Sequence, residues 1–198
     1  MKRKIPIILT LIYIYIYPQH AQAHNYKAFE TWGDVWQVLP FVMMGYSWYI
    51  EDYEGIKEQA ISSAASFLIT HAIKESFVLI SKSDENKALI SRRPNQGSFN
   101  GFPSGHTSFA FSSVGFAQKR YGFKFSIPTA AIATSVGVSR IYAQRHTTTQ
   151  VVAGAALGFA TSYLLSSKYN DENKYIGFYL DNAKDGSVNY KLVGFYRF

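Results

Sequence analysis

Gly101-Phe102-Pro103-Ser104-Gly105-His106 is the stretch from which the rest of the chain is understood, together with Ser139-Arg140 and His146 further on. Gly101 and Pro103 break whatever precedes them, and Ser104 can cap the helix that follows, Thr107 to about Gln118. A helix start beside a glycine presents unpaired backbone N–H groups, and these favour an anion. His106 falls in that first turn, where a proton donor could reach the anion's leaving oxygen. The second block adds a fixed cation, Arg140, and a second imidazole, His146; Arg92-Arg93-Pro94 adds more guanidinium upstream. Guanidiniums, helix-terminal amides and two histidines are what phosphoryl transfer through a histidine nucleophile requires.

The chain has 198 residues, enough for one domain with a sizeable core. It has no cysteine, which excludes disulfides, thiolate chemistry and cysteine-held metals. Three of the positive charges are Lys2, Arg3 and Lys4, followed by an apolar run from Ile5 to Tyr17 and the triplet Ala21-Gln22-Ala23. That is the grammar of a secretory signal, residues 1–23, with cleavage expected before His24. The formal charge of +7 falls to +4 without it, too mild and too scattered to argue for nucleic acid.

The body of the chain predicts mainly helix. Asp34 is a plausible N-cap for an apolar helix over Val35 to Ile50, bent at Pro40. Lys57 to Ile80 is a second helix, with Ile61, Ala64, Ala65, Leu68, Ile69, Ala72 and Ile73 recurring at helical spacing as an apolar stripe, and with His71 and Lys74 on or beside it. Ser81 to Lys87 is polar and charged, a loop. Further helices are expected near Ser126 to Tyr142 and from Thr148 to about Ser167, the last rich in small residues that permit close packing. After Lys168 come two aromatic, partly alternating runs around a turn composition, a C-terminal β-hairpin over 169–198. The expected architecture is an antiparallel helix bundle over 24–168 with the hairpin appended.

Arg93-Pro94, Pro103-Ser104-Gly105-His106 and Ser139-Arg140 with His146 resemble the three-part signature of the type-2 phosphatidate phosphatase superfamily. That superfamily includes membrane lipid phosphatases, class A acid phosphatases of the periplasm and vanadium haloperoxidases. The resemblance runs from about Gly33 to Ser167. It implies a bundle of the acid phosphatase and haloperoxidase type, with His146 as nucleophile and His106 as proton donor and acceptor. It further implies that Arg93, Arg140, the Ser104 hydroxyl and the amides around Ser104 and Gly105 hold phosphate oxygens. No metal or other cofactor is implied, because the arginines already supply positive charge.

Two positions depart from the pattern. In the family six residues separate the lysine from Arg-Pro, a position that here is Asn86, with Lys87 one out of register. Lys74, in a helical segment resembling the one that carries this lysine in related bacterial proteins, is the favoured alternative to Lys87 because a helix positions it better. The family's aspartate, four residues after the nucleophile, is Gln150. Gln150 can accept a hydrogen bond from the ring but brings no charge, and Thr147-x-x-Gln150 also fits a capping box.

The expected activity is metal-independent hydrolysis of phosphate monoesters or diphosphates, chiefly of membrane lipids, in the bacterial envelope on the periplasmic side. Mean hydropathy is −0.07, and the uncharged stretches are each shorter than a typical span. A soluble periplasmic acid phosphatase for small phosphate esters therefore stays open. So does a phosphate- or lipid-binding protein that lost turnover with its aspartate.

Overall fold

The apolar run after Gly33 forms two helices and not one bent one. In the computed structural model, which describes residues 24–95, 97–169, 174–182 and 188–196, α1 spans His24–Trp36 and α2 spans Leu39–Tyr49. Pro40 starts α2 instead of bending a continuous helix, because in the first turn its missing N–H has no intrahelical partner to lose. Asp34 is correspondingly no cap; it lies inside the last turn of α1.

The third helix, α3, spans Tyr53–Ser83, capped by the Asp52 carboxylate accepting from Gly55 N at 2.9 Å. It runs three residues past the expected end. The predicted loop over 81–87 is instead the end of α3 and the start of a 3₁₀ segment, Glu85–Ser91, pinned by Asp84 accepting from Asn86 N at 3.0 Å. The remaining helices are α4 (Gly105–Arg120), α5 (Phe123–Tyr142, with Pro128 inside it) and α6 (Thr148–Leu165). The expected signal, residues 1–23, lies outside the described residues. So does the expected hairpin's turn, 183–187; on either side of it the backbone at β1 (Lys174–Asn182) and β2 (Val188–Tyr196) runs antiparallel.

The helical periodicity of α3 is as expected, but its apolar stripe faces outward. Ile61, Leu68 and Ile69 are 62%, 66% and 43% exposed, while Gln59, Ser62, Ser66 and Thr70 are fully buried. These buried residues recur every three or four positions and form a ladder of hydroxyls against α4. Ser63 meets Ser112 at 3.0 Å, Ser66 donates to the Ser108 carbonyl at 3.4 Å, and Thr70 meets the Ser108 hydroxyl at 2.8 Å. The next rung of that stripe is Lys74, also buried. Elsewhere Phe41, Trp48, Phe123, Ile127, Val152 and Leu164 are exposed, whereas Ser47, Ser113, Ser139 and Ser162 are buried. Among the described residues the apolar cores are local, around Leu39, Val114 and Val136 and around Met43 and Phe116.

Small residues let the backbones meet. A Cβ at Gly158 would stand 2.0 Å from the Ser108 carbonyl, and one at Gly154 would stand 2.5 Å from the Ser104 carbonyl, so α6 lies directly on α4. Likewise a Cβ at Gly33 would fall 1.9 Å from the Ser139 hydroxyl, which brings α1 onto the C-terminal end of α5. These contacts gather the start of α4, the end of α5, the start of α6 and the end of α1 at one end of the bundle.

Candidate active site

A cavity of about 650 Å³ opens at that end. Lys74, Arg93, Gly105, His106, Arg140 and His146 line it, which unites six of the residues singled out from sequence. Three others lie elsewhere. Lys87 pairs with Asp84 at 3.6 Å on a side chain 75% exposed, away from the cavity. Ser104 is fully buried: its hydroxyl contacts that of Thr107 at 2.9 Å and does not cap α4, and its amide donates to the Gln150 carbonyl at 2.8 Å. Gln150 is fully buried behind His146.

The Gln150 amide has every hydrogen-bonding position in use. Its Nε2 donates to the carbonyls of Ile90 (2.9 Å) and Arg92 (3.0 Å). Carbonyls can only accept, so the amide's orientation is fixed and Oε1 faces the other way. There it accepts from Thr147 N at 3.2 Å and meets His146 Nδ1 at 3.0 Å. The His146 Nδ1 must therefore carry the proton, which leaves Nε2 with the free lone pair. The expected capping box is present: Thr147 Oγ1 accepts from Gln150 N at 3.3 Å while Gln150 reaches back to Thr147 N. One side chain thus starts α6, sets the tautomer of His146 and ties down the strand of loop that leads to Arg93. Gly101 lies flat against it; a Cβ there would come within 2.7 Å of the Gln150 amide.

Electrostatics at His146 favour the neutral ring. Burial, then the charges of Arg93 and Lys74, push its pKa down to about 3, against hydrogen bonds to Gln150 and the Gly101 backbone that act in the opposite direction. Arg93 is also held below its ordinary value, by burial and then by the Arg145 charge. Its Nε donates to Asn100 Oδ1 at 2.7 Å, and Lys74 Nζ donates to the Asn100 carbonyl at 2.6 Å. Among the described residues no carboxylate pairs with either cation.

The opposite wall comes from α1, which sequence reasoning did not connect to the site. Asp34 Oδ1 accepts from Arg140 Nη1 at 2.7 Å and from His106 Nε2 at 3.0 Å. Arg140 also donates to the Glu30 carbonyl and, through Nε, to the Ser139 hydroxyl at 3.1 Å. Arg145, a fourth cavity-lining cation next to His146, pairs with Glu30 at 2.7 Å. An aspartate before an apolar run looks like a cap, and only the fold of α1 onto α5 reveals another role. Arg145 was legible only as a neighbour of His146. Among the described residues no three His, Asp or Glu side chains gather as a metal cage would need.

A family model described as the PAP2 superfamily matches residues 8–174. The chain belongs to that superfamily. A lipid A 4'-phosphatase from Helicobacter pylori is 32% identical over 98% of both chains. A lipid A 1-phosphatase from the same species is 31% identical over 59% of both. A lipid A 1-phosphatase from Porphyromonas gingivalis is 35% identical over 36% of this chain and 17% of its own. No solved structure matches the chain. With the superfamily and the full-length likeness to a phosphatase, the protein is a phosphoric monoester hydrolase.

Proposed function

We propose that this superfamily member is an envelope enzyme that removes phosphate from a membrane lipid, lipid A foremost, through a phosphohistidine intermediate. The observation that carries this reading is the arrangement around His146: a neutral imidazole facing Lys74 and Arg93, two cations that no carboxylate among the described residues neutralises. An anion of two charges would complete them. In the reaction, His146 Nε2 attacks phosphorus as the phosphorus–oxygen ester bond breaks, and His106 protonates the departing oxygen. Water then attacks the phosphohistidine, gives its proton to His106, and the phosphorus–nitrogen electron pair returns to Nε2. Lys74, Arg93, Arg140 and the free amides of the first turn of α4, from Gly105 onward, stabilise the equatorial oxygens. Lys74 takes the phosphate role in place of Lys87. No step calls for a metal or another cofactor.

The choice of a lipid rests on the relatives and on the exterior. A 31-residue helix, α3, is long and apolar enough to cross a bilayer. Large apolar side chains outside and small polar ones between helices are the polarity of a bilayer-embedded bundle, where packing and not hydrophobicity joins helices. This favours the lipid enzyme over a soluble phosphatase. The Gln150 network favours a working site over a degenerate one, since the amide supplies the tautomer that an aspartate would. We assign residues 1–23 to an export signal, the catalytic domain to 24–168 with its site on the periplasmic side, and the C-terminal hairpin to an extension outside the site.

The test is phosphate release by purified protein in detergent with EDTA, from lipid A, phosphatidate and an aryl phosphate. Turnover on lipid A that survives EDTA and disappears in His146→Ala is expected. Turnover confined to the aryl phosphate would sink the lipid reading, and activity retained by His146→Ala would sink the mechanism. Gln150→Asp should lower both activity and stability. It strands the Ile90 and Arg92 carbonyls, at about 1–3 kcal/mol each. A rise in activity would mean the site is degenerate after all.

A further inference from the structure

The nucleophile of this site is supported by a neutral amide, yet a carboxylate is present at the other histidine. We propose that Asp34 is the positioning residue for His106, orienting its ring through Nε2 and holding its cationic form ready to give up a proton. This rests on the reading of His106 as the proton donor. Two observations carry it. A single oxygen, Asp34 Oδ1, stands 3.0 Å from His106 Nε2 and 2.7 Å from Arg140 Nη1, so the carboxylate is placed by a buried guanidinium and in turn places the ring. The close approach of Gly33 to Ser139 fixes α1 where this can happen. With Nε2 committed to Asp34, Nδ1 is the nitrogen that exchanges the proton.

The charges around His106 explain why it needs such a partner. Lys74 from α3, Arg93 from the loop before α4, Arg140 from α5 and Arg145 beside His146 all line its cavity. Each disfavours an imidazolium. On the acidic side, Glu30 is occupied by Arg145, Glu75 lines the cavity from α3, and among the described residues Asp34 is the carboxylate that contacts the ring. As His106 Nδ1–H passes its proton to the leaving oxygen, the ring becomes neutral and keeps its Nε2–H on Asp34. The attacking water later returns a proton to Nδ1. Asp34 stays a carboxylate throughout, and its hydrogen bond holds the ring in register between the two half-reactions.

The experiment compares wild type, Asp34→Asn and Asp34→Glu on nitrophenyl phosphate, whose leaving group needs no proton, and on phenyl phosphate, whose leaving group does. In Asp34→Asn, kcat/KM for phenyl phosphate should fall on the order of 100-fold. For nitrophenyl phosphate the fall should be less than about tenfold. The alkaline limb of kcat/KM for phenyl phosphate should move to lower pH, and Asp34→Glu should restore part of both effects. Vanadate binding by each variant checks that the anion site is folded. Equal losses on the two substrates with an unmoved limb, in a variant that binds vanadate, would overturn the proposal; that is how a mere anchor for Arg140 would behave. If Asp34→Asn fails to bind vanadate, Asp34→Glu decides by the same criterion. A wild type inactive on every phosphate ester would sink the proposed function itself, and this inference with it.

Discussion

The two ends of α4 handle charge in opposite ways. At its C-terminal end, Arg120 is buried and fully engaged. Its Nε donates to Asp52 Oδ2 at 2.5 Å, Nη2 binds the other oxygen of the same carboxylate, and Nη1 donates to Glu58 at 2.9 Å and to the Ser167 hydroxyl at 3.0 Å. Tyr121 adds a hydrogen bond to Asp52 at 2.6 Å. Burial would raise the Asp52 pKa, but the bonds from Arg120, Tyr121 and Gly55 outweigh it and keep the carboxyl below its usual range. At the N-terminal end, roughly 20 Å away along the helix, Lys74 and Arg93 hydrogen-bond to the Asn100 carbonyl and side chain, and no carboxylate among the described residues pairs with them. A cation that the protein neutralises itself holds helices together. A cation left facing neutral groups waits for a ligand, and the fold bears the repulsion.

This contrast breaks if substitutions at the two ends have the same consequence. Arg120→Ala leaves Asp52 buried without its partner and should cost about 3–5 kcal/mol in unfolding free energy. Turnover per folded molecule should be unchanged, as checked by denaturation beside an activity titration. Arg93→Ala should do the reverse. The catalytic efficiency should drop about 100- to 1000-fold, while the unfolding midpoint holds or rises because like charges are relieved. A fall in midpoint as large as that of Arg120→Ala would mean that Arg93 is structural.

The last expected effect is a pH dependence. The His146 pKa is near 3 in the folded protein and near the ordinary 6.5 or so once unfolded. Between those values the unfolded chain binds the extra proton, so stability falls as pH drops through that window and is recovered as pH rises. His146→Gln should lose stability less steeply between pH 7 and pH 4 by thermal denaturation. Identical slopes would place the acid sensitivity elsewhere.

Much of the site was legible because its parts are local. Pro103 to His106 and Arg140 to Gln150 each fall within a turn or two of a helix boundary, and backbone preference alone places them. Lys74 was legible only through the resemblance, as the lysine of a helical segment like the one that carries it in related proteins. What escaped depends on distant contacts: Asp34 meets His106 and Arg140 across 72 and 106 positions of sequence, and nothing near Asp34 announces it. Ser104 was read as a cap for α4, but its hydroxyl contacts Thr107 instead of a helix-start amide. The direction of the α3 stripe was not legible for a different reason. Periodicity reports that an apolar face exists, and which way it turns depends on whether water or lipid lies outside.

The hydroxyl ladder between α3 and α4 has a thermodynamic consequence. Separating two helices held by Ser, Thr and Gly contacts uncovers little apolar surface, so the heat-capacity change of that step is small. The joint would then loosen nearly uniformly with temperature, without the curvature that water-driven folding brings. Its strength would depend on the medium's capacity to supply hydrogen bonds: firm in hydrocarbon, and weakened wherever a detergent admits water between the rungs.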